Sequence, residues 1–184
     1  MNSKFLYFLE LASRWYVFAL LTVYGLGKLL GGQFYRKGNL PDEIANIPLS
    51  EVGGFDLAWS FMGYSYAYIL FIGVSQLIGA GLLLFERTKL FGVFVLIPVL
   101  LNIIVFDAIF FDTYGAMASA ILYFLLLVLV LVLNKERLIK IIRLIGLRQS
   151  FGAKQNWWHT VGFVFLLLLL FFGIDQFFVN VLGH

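Results

Sequence analysis

Four polar side chains lie inside long apolar runs of the sequence, where a charge is costly. They are Lys28, Asn102, Asp107 and Asp175. An unpaired charge at the centre of a bilayer costs at least ~2.5 kcal/mol, so an amine and carboxylates at such positions are expected to face one another, as an ion pair, a ligand site or a proton site. Tyr24 precedes Lys28 by one helical turn, and its hydroxyl could join the same hydrogen-bond network.

The composition predicts an integral membrane protein. Of the 184 residues, 62% are hydrophobic and 12% are charged, and the mean hydropathy is +0.96, whereas soluble domains are about 25% charged. An apolar run of about 20 residues can cross ~30 Å of hydrocarbon as a helix. Five such runs occur, at 15–34, 60–85, 90–111, 115–133 and 160–180. The predicted fold is an all-α, polytopic transmembrane helical bundle, with residues 1–184 in a single membrane domain because no connection could form a separate core.

A rise of 1.5 Å per residue places the polar side chains at similar depths. Counted from the cytoplasmic start of each run, Lys28 lies at ~20 Å, Asn102 at ~18 Å, Asp107 at ~26 Å and Asp175 at ~22 Å. We therefore expect Lys28 to pair with Asp107 or Asp175. Asn102 and Asp107 are about 140° apart around their helix, and Pro98 could distort the helix so that both face one centre. Three other interpretations stay open: snorkelling of the lysine, carboxylates in the outer interface, and a purely structural ion pair.

The basic residues predict the orientation of the chain. Only Arg36 and Lys37 fall on one side, whereas ten of the 13 Lys and Arg residues fall on the other: Lys4, Arg14, Arg87, Lys89, Lys135, Arg137, Lys140, Arg143, Arg148 and Lys154. The positive-inside rule then makes the amino terminus cytoplasmic and places the carboxyl terminus outside. Anionic headgroups account for the net charge of +3 better than a nucleic acid does, so no nucleic acid partner is expected.

Two connections have their own character. The outer connection, residues 35–59, is rich in turn formers and acids, and it predicts a cap over the helix ends with a short helix from Pro41 to Asn46. The basic segment 135–158 has apolar residues on one helical stripe, which predicts an amphipathic helix in the cytoplasmic interface. Residues 159–184 then form an additional transmembrane helix.

Pairs of small residues four positions apart predict close helix packing in lipid. The predicted packing residues are Gly27 with Gly31, Ser75 with Gly79, Gly115 with Ser119, and Ala116 with Ala120. Small side chains let helix backbones approach each other closely.

The stretches "DLAWSFMGYSYAYILFIGVSQLIGAGLLLFERT" and "LNIIVFDAIFFD" resemble the DoxX-like (DoxX/DoxD) membrane protein family. The shared pattern is Gly25, Gly27 and Lys28 near the end of the first span, Gly73, Gly79, 82–85, Arg87 and Thr88 in and after the second, and Asn102 followed by Asp107 in the third. The resemblance covers residues 15–134, and it implies a four-helix core, the bacterial cytoplasmic membrane and an association with redox complexes or their assembly. Gln76 stands where many family members carry a glutamate, so a proton-transfer role at this position is weakened, because glutamine does not titrate.

These observations lead to three functional hypotheses. The first is an accessory or partner-binding subunit, possessing no catalytic activity of its own, whose apolar grooves hold another membrane protein, a second copy or a lipid. The second is a quinone-binding redox subunit that uses Lys28, Tyr24 and Asp107. The third is a small-molecule or proton carrier, ranked last because no internal repeat is visible. The sequence has no cysteine and only two histidines near helix or chain ends, which argues against a metal site and against haem.

Overall fold

A computed structural model describes residues 3–111, 114–146 and 157–182, and these residues form eight α-helices and no strand. The helices are α1 (Ser3–Leu30), α2 (Asp42–Ala45), α3 (Gly54–Gly63), α4 (Tyr66–Leu82), α5 (Lys89–Phe110), α6 (Gly115–Leu133), α7 (Lys135–Gly146) and α8 (Trp157–Leu182). The predicted all-α helical bundle is therefore confirmed. Within the described ranges, α1, α5, α6 and α8 are long and apolar enough to cross a membrane, and α3 with α4 would make a fifth, bent span.

Four of the helices surround a common axis. Helix α1 packs against α4 and α6, and α5 packs against the same two helices. We call the end of this bundle beside residues 31–65 the cap end, and the end beside the turn 83–88 the turn end. Fully buried aliphatic side chains from all four helices fill the half of the bundle nearer the turn end, among them Val17, Ala80, Leu96 and Leu127.

The first helix differs from the predicted span 15–34 at both ends. It begins at Ser3, because the charges of Glu10 and Arg14 are paired and do not interrupt it. It ends at Leu30, because Gly31 adopts a φ of 92° and the amide of Gly32 donates to the carbonyl of Gly27 at 2.8 Å. This is a Schellman motif, which terminates a helix with a left-handed residue.

The predicted span 60–85 is not one straight helix. Helices α3 and α4 meet at an angle of 92°, and Ser65 between them has an extended backbone. Helix α3 instead belongs to the predicted cap, where the amide of Tyr35 donates to the carbonyl of Trp59 at 3.2 Å. Arg36 also donates to the carbonyl of Leu29 at 2.9 Å, which satisfies a carbonyl at the end of α1. The predicted short helix in this connection is observed as α2.

The chain divides into two compact units, Met1–Leu144 and Ile145–His184. The division falls inside the basic segment 135–158, whose predicted amphipathic helix is observed as α7. The first unit holds the four-helix bundle, and the second holds α8, a 26-residue apolar helix. Residues 147–156 of the basic segment lie outside the described residues.

Candidate functional site

A cavity of about 610 Å³ occupies the half of the bundle nearer the cap end. All four bundle helices contribute to its wall, and Trp59 and Met62 of α3 contribute from the cap. Leu100 and Tyr123 line the cavity and also belong to the buried core, so the apolar core forms its floor. The volume lies within the ~300 to 1,000 Å³ that is usual for small-molecule sites.

The most deeply buried polar contact at the cavity joins α1 to α4. The Nζ of Lys28 donates to Oε1 of Gln76 at 3.2 Å, and Nε2 of Gln76 donates to the carbonyl of Leu21 at 2.9 Å. Gln76 is 1% exposed and Lys28 is 8% exposed. The amide of Gln76 thus bridges two helices, as expected of a neutral amide inside a membrane bundle, and it holds the lysine amine at the cavity wall.

The structure brings Lys28 and Asp107 to the same cavity but not into direct contact. Both line the wall and both are buried, yet their charged atoms are farther apart than the 4.0 Å of an ion pair. No cation of the described residues lies within that distance of the Asp107 carboxylate. The amine and the acid therefore border the same cavity without forming an ion pair with each other.

The remaining predicted members of the cluster have different positions. Tyr24 and Asn102 line the cavity together with Asp107. On α5, Asn102 is exposed and Asp107 is buried, and both border the cavity. Asp175 belongs to the second unit, so its place in the cluster stays a prediction.

The predicted packing residues divide into three groups. A Cβ at Gly79 would lie 2.7 Å from Leu96, so this glycine allows α4 and α5 to approach closely. Ser75 and Ser119 line the cavity, and Gly31 terminates α1. At Gly27 and Gly115 an added Cβ would meet no atom within 4 Å other than those of its own chain neighbours and helix backbone, so neither residue lies at a close helix contact within the described chain, and their role in packing stays a prediction.

Other glycines make the close contacts. Gly25 of α1 and Gly73 of α4 face each other, and an added Cβ on Gly73 would lie 3.4 Å from the carbonyl of Gly25. Gly92 of α5 lies against Gly79, with 2.8 Å from an added Cβ to the carbonyl of Gly79. Two glycine contacts thus set the distances between α1 and α4 and between α4 and α5.

Sequence reasoning missed an ion-pair cluster at the turn end, which consists of the buried residues Glu10, Arg14 and Lys89 and the exposed residue Glu86. Arg14 is paired with Glu86, and Lys89 lies 2.5 Å from Glu10 and 2.8 Å from Glu86. Arg14 also donates to the carbonyls of Leu83 at 2.7 Å and Leu84 at 2.8 Å, and it is only 2% exposed. The signal in the sequence was the spacing of Glu10 and Arg14, four residues apart on one helix.

The cluster also lowers the pKa of Glu86, which lies in the turn 83–88. The hydrogen bond from Lys89 is the main cause that lowers the pKa of Glu86 below its ordinary value of 4.5, and the hydrogen bond from Arg14 acts in the same direction. Glu86 therefore stays ionised at neutral pH and completes the cluster.

Replacement of Gln76 tests the contact that holds Lys28. In Gln76→Leu the amine loses its acceptor while it stays buried, and we expect a loss of roughly 2 kcal/mol in the free energy of unfolding. Gln76→Glu places a carboxylate beside the amine, so we expect a smaller loss in the free energy of unfolding. Unfolding of both variants in mixed micelles would measure the difference, and a Gln76→Glu variant less stable than Gln76→Leu would contradict the proposed contact.

The fold and the cavity define an all-helical bundle protein with several candidate membrane spans and, between its helices, a mostly apolar cavity that carries a few polar side chains. Among curated proteins, the chain is similar to the uncharacterised protein YwoB of Bacillus subtilis (strain 168), with 40% identity over 88 residues. The match covers 48% of this chain and 53% of that protein, so the chain spans about half the length of the relative it matches. No protein-family model and no solved structure matches the chain.

Proposed function

We propose that this chain is a DoxX-like integral membrane protein that holds a quinone-class molecule in the cavity between α1, α4, α5 and α6. In this proposal it acts as an accessory subunit of a membrane redox complex, and a partner protein or a second copy supplies the catalytic groups that its own residues lack. The observation that carries the proposal is that Lys28 and Asp107, which do not form an ion pair with each other, both line a cavity large enough for a ligand.

The side chains that line the cavity suit a ring that carries oxygen atoms. The Lys28 amine, the Tyr24 hydroxyl and the Asn102 amide can each donate a hydrogen bond to a carbonyl oxygen, and the Asp107 carboxylate can accept one from a hydroxyl. Both the quinone and the quinol forms would therefore find partners. Aromatic side chains, among them Trp59, Phe106 and Phe111, give the ring apolar neighbours.

The apolar floor favours binding over transport. Below Leu100 and Tyr123 the bundle is closed by fully buried aliphatic side chains, including Leu96, Leu127 and Val130. A carrier needs a path to the other side of the membrane, so this packing argues against the carrier hypothesis.

The proposed orientation places the turn end in the cytoplasm and the carboxyl terminus outside. Arg14 and Lys89 are neutralised by acids and add little to the charge bias. Exposed basic residues remain at the turn end, including Arg87, Lys135 and Lys140, whereas Arg36 and Lys37 stand at the cap end. The positive-inside rule applied to the exposed residues supports this orientation, and the resemblance to DoxX-like proteins implies the bacterial cytoplasmic membrane.

Binding of a short-chain naphthoquinone to the purified full chain tests the proposal. Quenching of tryptophan fluorescence reports binding because Trp59 lines the cavity, and Trp59→Phe should reduce that signal. We expect saturation near one quinone per chain. Lys28→Met removes a charge-assisted hydrogen bond worth about 1.5 to 3 kcal/mol, which corresponds to roughly 10-fold to 100-fold weaker binding.

The matched control is Lys37→Met, which removes an exposed cation that contacts Tyr64 at the cap and does not line the cavity. This variant is expected to bind the quinone like the wild type. Equal affinities of Lys28→Met and Lys37→Met would contradict a quinone site at Lys28. Native mass spectrometry of protein from its own membranes adds a second readout. A co-purifying protein without a small molecule would support the accessory role and would not support quinone binding.

A further inference from the structure

Helix α7 begins where the span α6 ends. Only Asn134 separates Leu133, the last residue of α6, from Lys135, the first residue of α7. The 19 residues of α6 are ~28 Å long, close to the ~30 Å of the hydrocarbon core. The start of α7 therefore lies at the depth of the lipid headgroups.

One arginine fixes α7 to the turn end of the bundle. Nη1 of Arg137 donates to the carbonyl of Glu86 at 2.8 Å, and Nη2 donates to the carbonyl of Arg87 at 3.4 Å. These carbonyls belong to the turn 83–88, in which Arg14 donates to the carbonyls of Leu83 and Leu84. The first turn of α7 thus has a fixed position on the bundle.

The other cations of α7 have no acidic partner in the described part of the chain. Lys135, Lys140 and Arg143 are exposed, and no described carboxylate lies within 4.0 Å of them. Lys135, Arg137 and Lys140 surround a recess of about 360 Å³ at the junction of α6 and α7. Glu136 is the single acid in this recess, so its charge balance is positive.

We propose that this recess, which we call the α7 recess, binds the phosphate headgroup of an anionic phospholipid. The basic side chains and the side-chain amide of Asn134 would contact the phosphate. Beside the recess, α7 carries an apolar stripe of Leu138, Ile141 and Ile142, which would contact the acyl chains. The stripe distinguishes a lipid from free phosphate, because free phosphate offers nothing for it to contact. This site is independent of the cavity at Lys28.

Native mass spectrometry of the full chain in mild detergent tests the proposal. The probes are phosphatidylglycerol and phosphatidylcholine with the same acyl chains. We expect the wild type to bind phosphatidylglycerol more tightly than phosphatidylcholine. Each cation near an anionic lipid surface accounts for about a fivefold change in affinity, so the double variant Lys135→Gln with Lys140→Gln should weaken phosphatidylglycerol binding roughly 20-fold.

Two variants and one competitor complete the experiment. Lys37→Gln removes an exposed cation at the cap end and should leave the preference unchanged, and Glu136→Gln should strengthen phosphatidylglycerol binding because it removes the acid from the recess. Inorganic phosphate should not displace the lipid. Displacement by phosphate, or an equal loss in Lys37→Gln and in the double variant, would overturn the proposal, whereas neither result would bear on quinone binding.

Discussion

Replacement of Arg14 by methionine is expected to lower the free energy of unfolding by about 3 kcal/mol, the lower end of the cost of removing one partner of a buried ion pair, because the partner Glu86 is exposed to solvent. The guanidinium of Arg14 donates to the carbonyls of Leu83 and Leu84 and pairs with Glu86. Methionine fills a similar volume but leaves these carbonyls without a donor and leaves the acids with Lys89 alone. Unfolding of the variant in mixed micelles measures the loss.

The control is Arg87→Met, which removes an exposed arginine from the same turn. Its side chain has no acidic partner in the described residues, so a change within about 0.5 kcal/mol is expected. Arg14→Lys keeps the charge but lacks the planar fork that reaches several acceptors, so it should restore only part of the stability. If Arg14→Met and Arg87→Met were equally stable, the cluster would not hold the turn.

The acid dependence of stability gives the same cluster a second readout. The pKa of Glu86 is lowered in the folded protein, chiefly by the hydrogen bond from Lys89 and then by that from Arg14. Ionised Glu86 therefore stabilises the folded state above its ordinary pKa, and this stabilisation is lost as the pH falls through the lower pKa of the folded protein. We expect the wild type to lose stability below about pH 4.5, and Arg14→Met to lose less over the same interval.

The apolar runs predicted most of the helices because the thickness of the hydrocarbon core sets how long a spanning helix must be. The spans 90–111 and 115–133 correspond within one residue to α5 and α6. The first span was predicted to begin too late, since a run of apolar residues cannot reveal that Glu10 and Arg14 neutralise each other within a helix. The bend between α3 and α4 was missed because it depends on a contact between Gly63 and Tyr35, which are distant in the sequence.

The sequence predicted which residues belong to the candidate site but not the distances between them. Lys28, Asn102 and Asp107 stood out because polar groups are rare in apolar runs, and all three line the cavity. The separation of Lys28 from Asp107 depends on how closely the helices approach. Contacts such as Gly25 with Gly73 set that approach, and small-residue spacing alone cannot show which of several glycine faces is buried. Lys28 and Asp107 therefore share a cavity without the direct ion pair that the sequence offered for them, and the alternative pairing of Lys28 with Asp175 stays a prediction.

Gly63→Ala is expected to be the most disruptive small substitution at the cap. A Cβ at Gly63 would overlap the carbonyl group of Tyr35, which is backbone and cannot rotate away. The corner between α3 and α4 would have to move from the segment that carries Tyr35, which endangers the hydrogen bond from the amide of Tyr35 to Trp59. Because overpacking costs about 1 to 3 kcal/mol and here meets backbone, we expect a loss of roughly 3 kcal/mol in the free energy of unfolding.

The same substitution should also weaken quinone binding, because Trp59 on the displaced helix lines the cavity. The matched control is Gly81→Ala, where an added Cβ meets nothing within 4 Å and alanine favours the helix. This control should be as stable as the wild type or up to about 1 kcal/mol more stable. Thermal unfolding and naphthoquinone titration of both variants measure the two effects. A Gly63→Ala protein that unfolds and binds like Gly81→Ala would mean that the close approach of Gly63 to Tyr35 neither stabilises the cap nor positions Trp59 at the cavity.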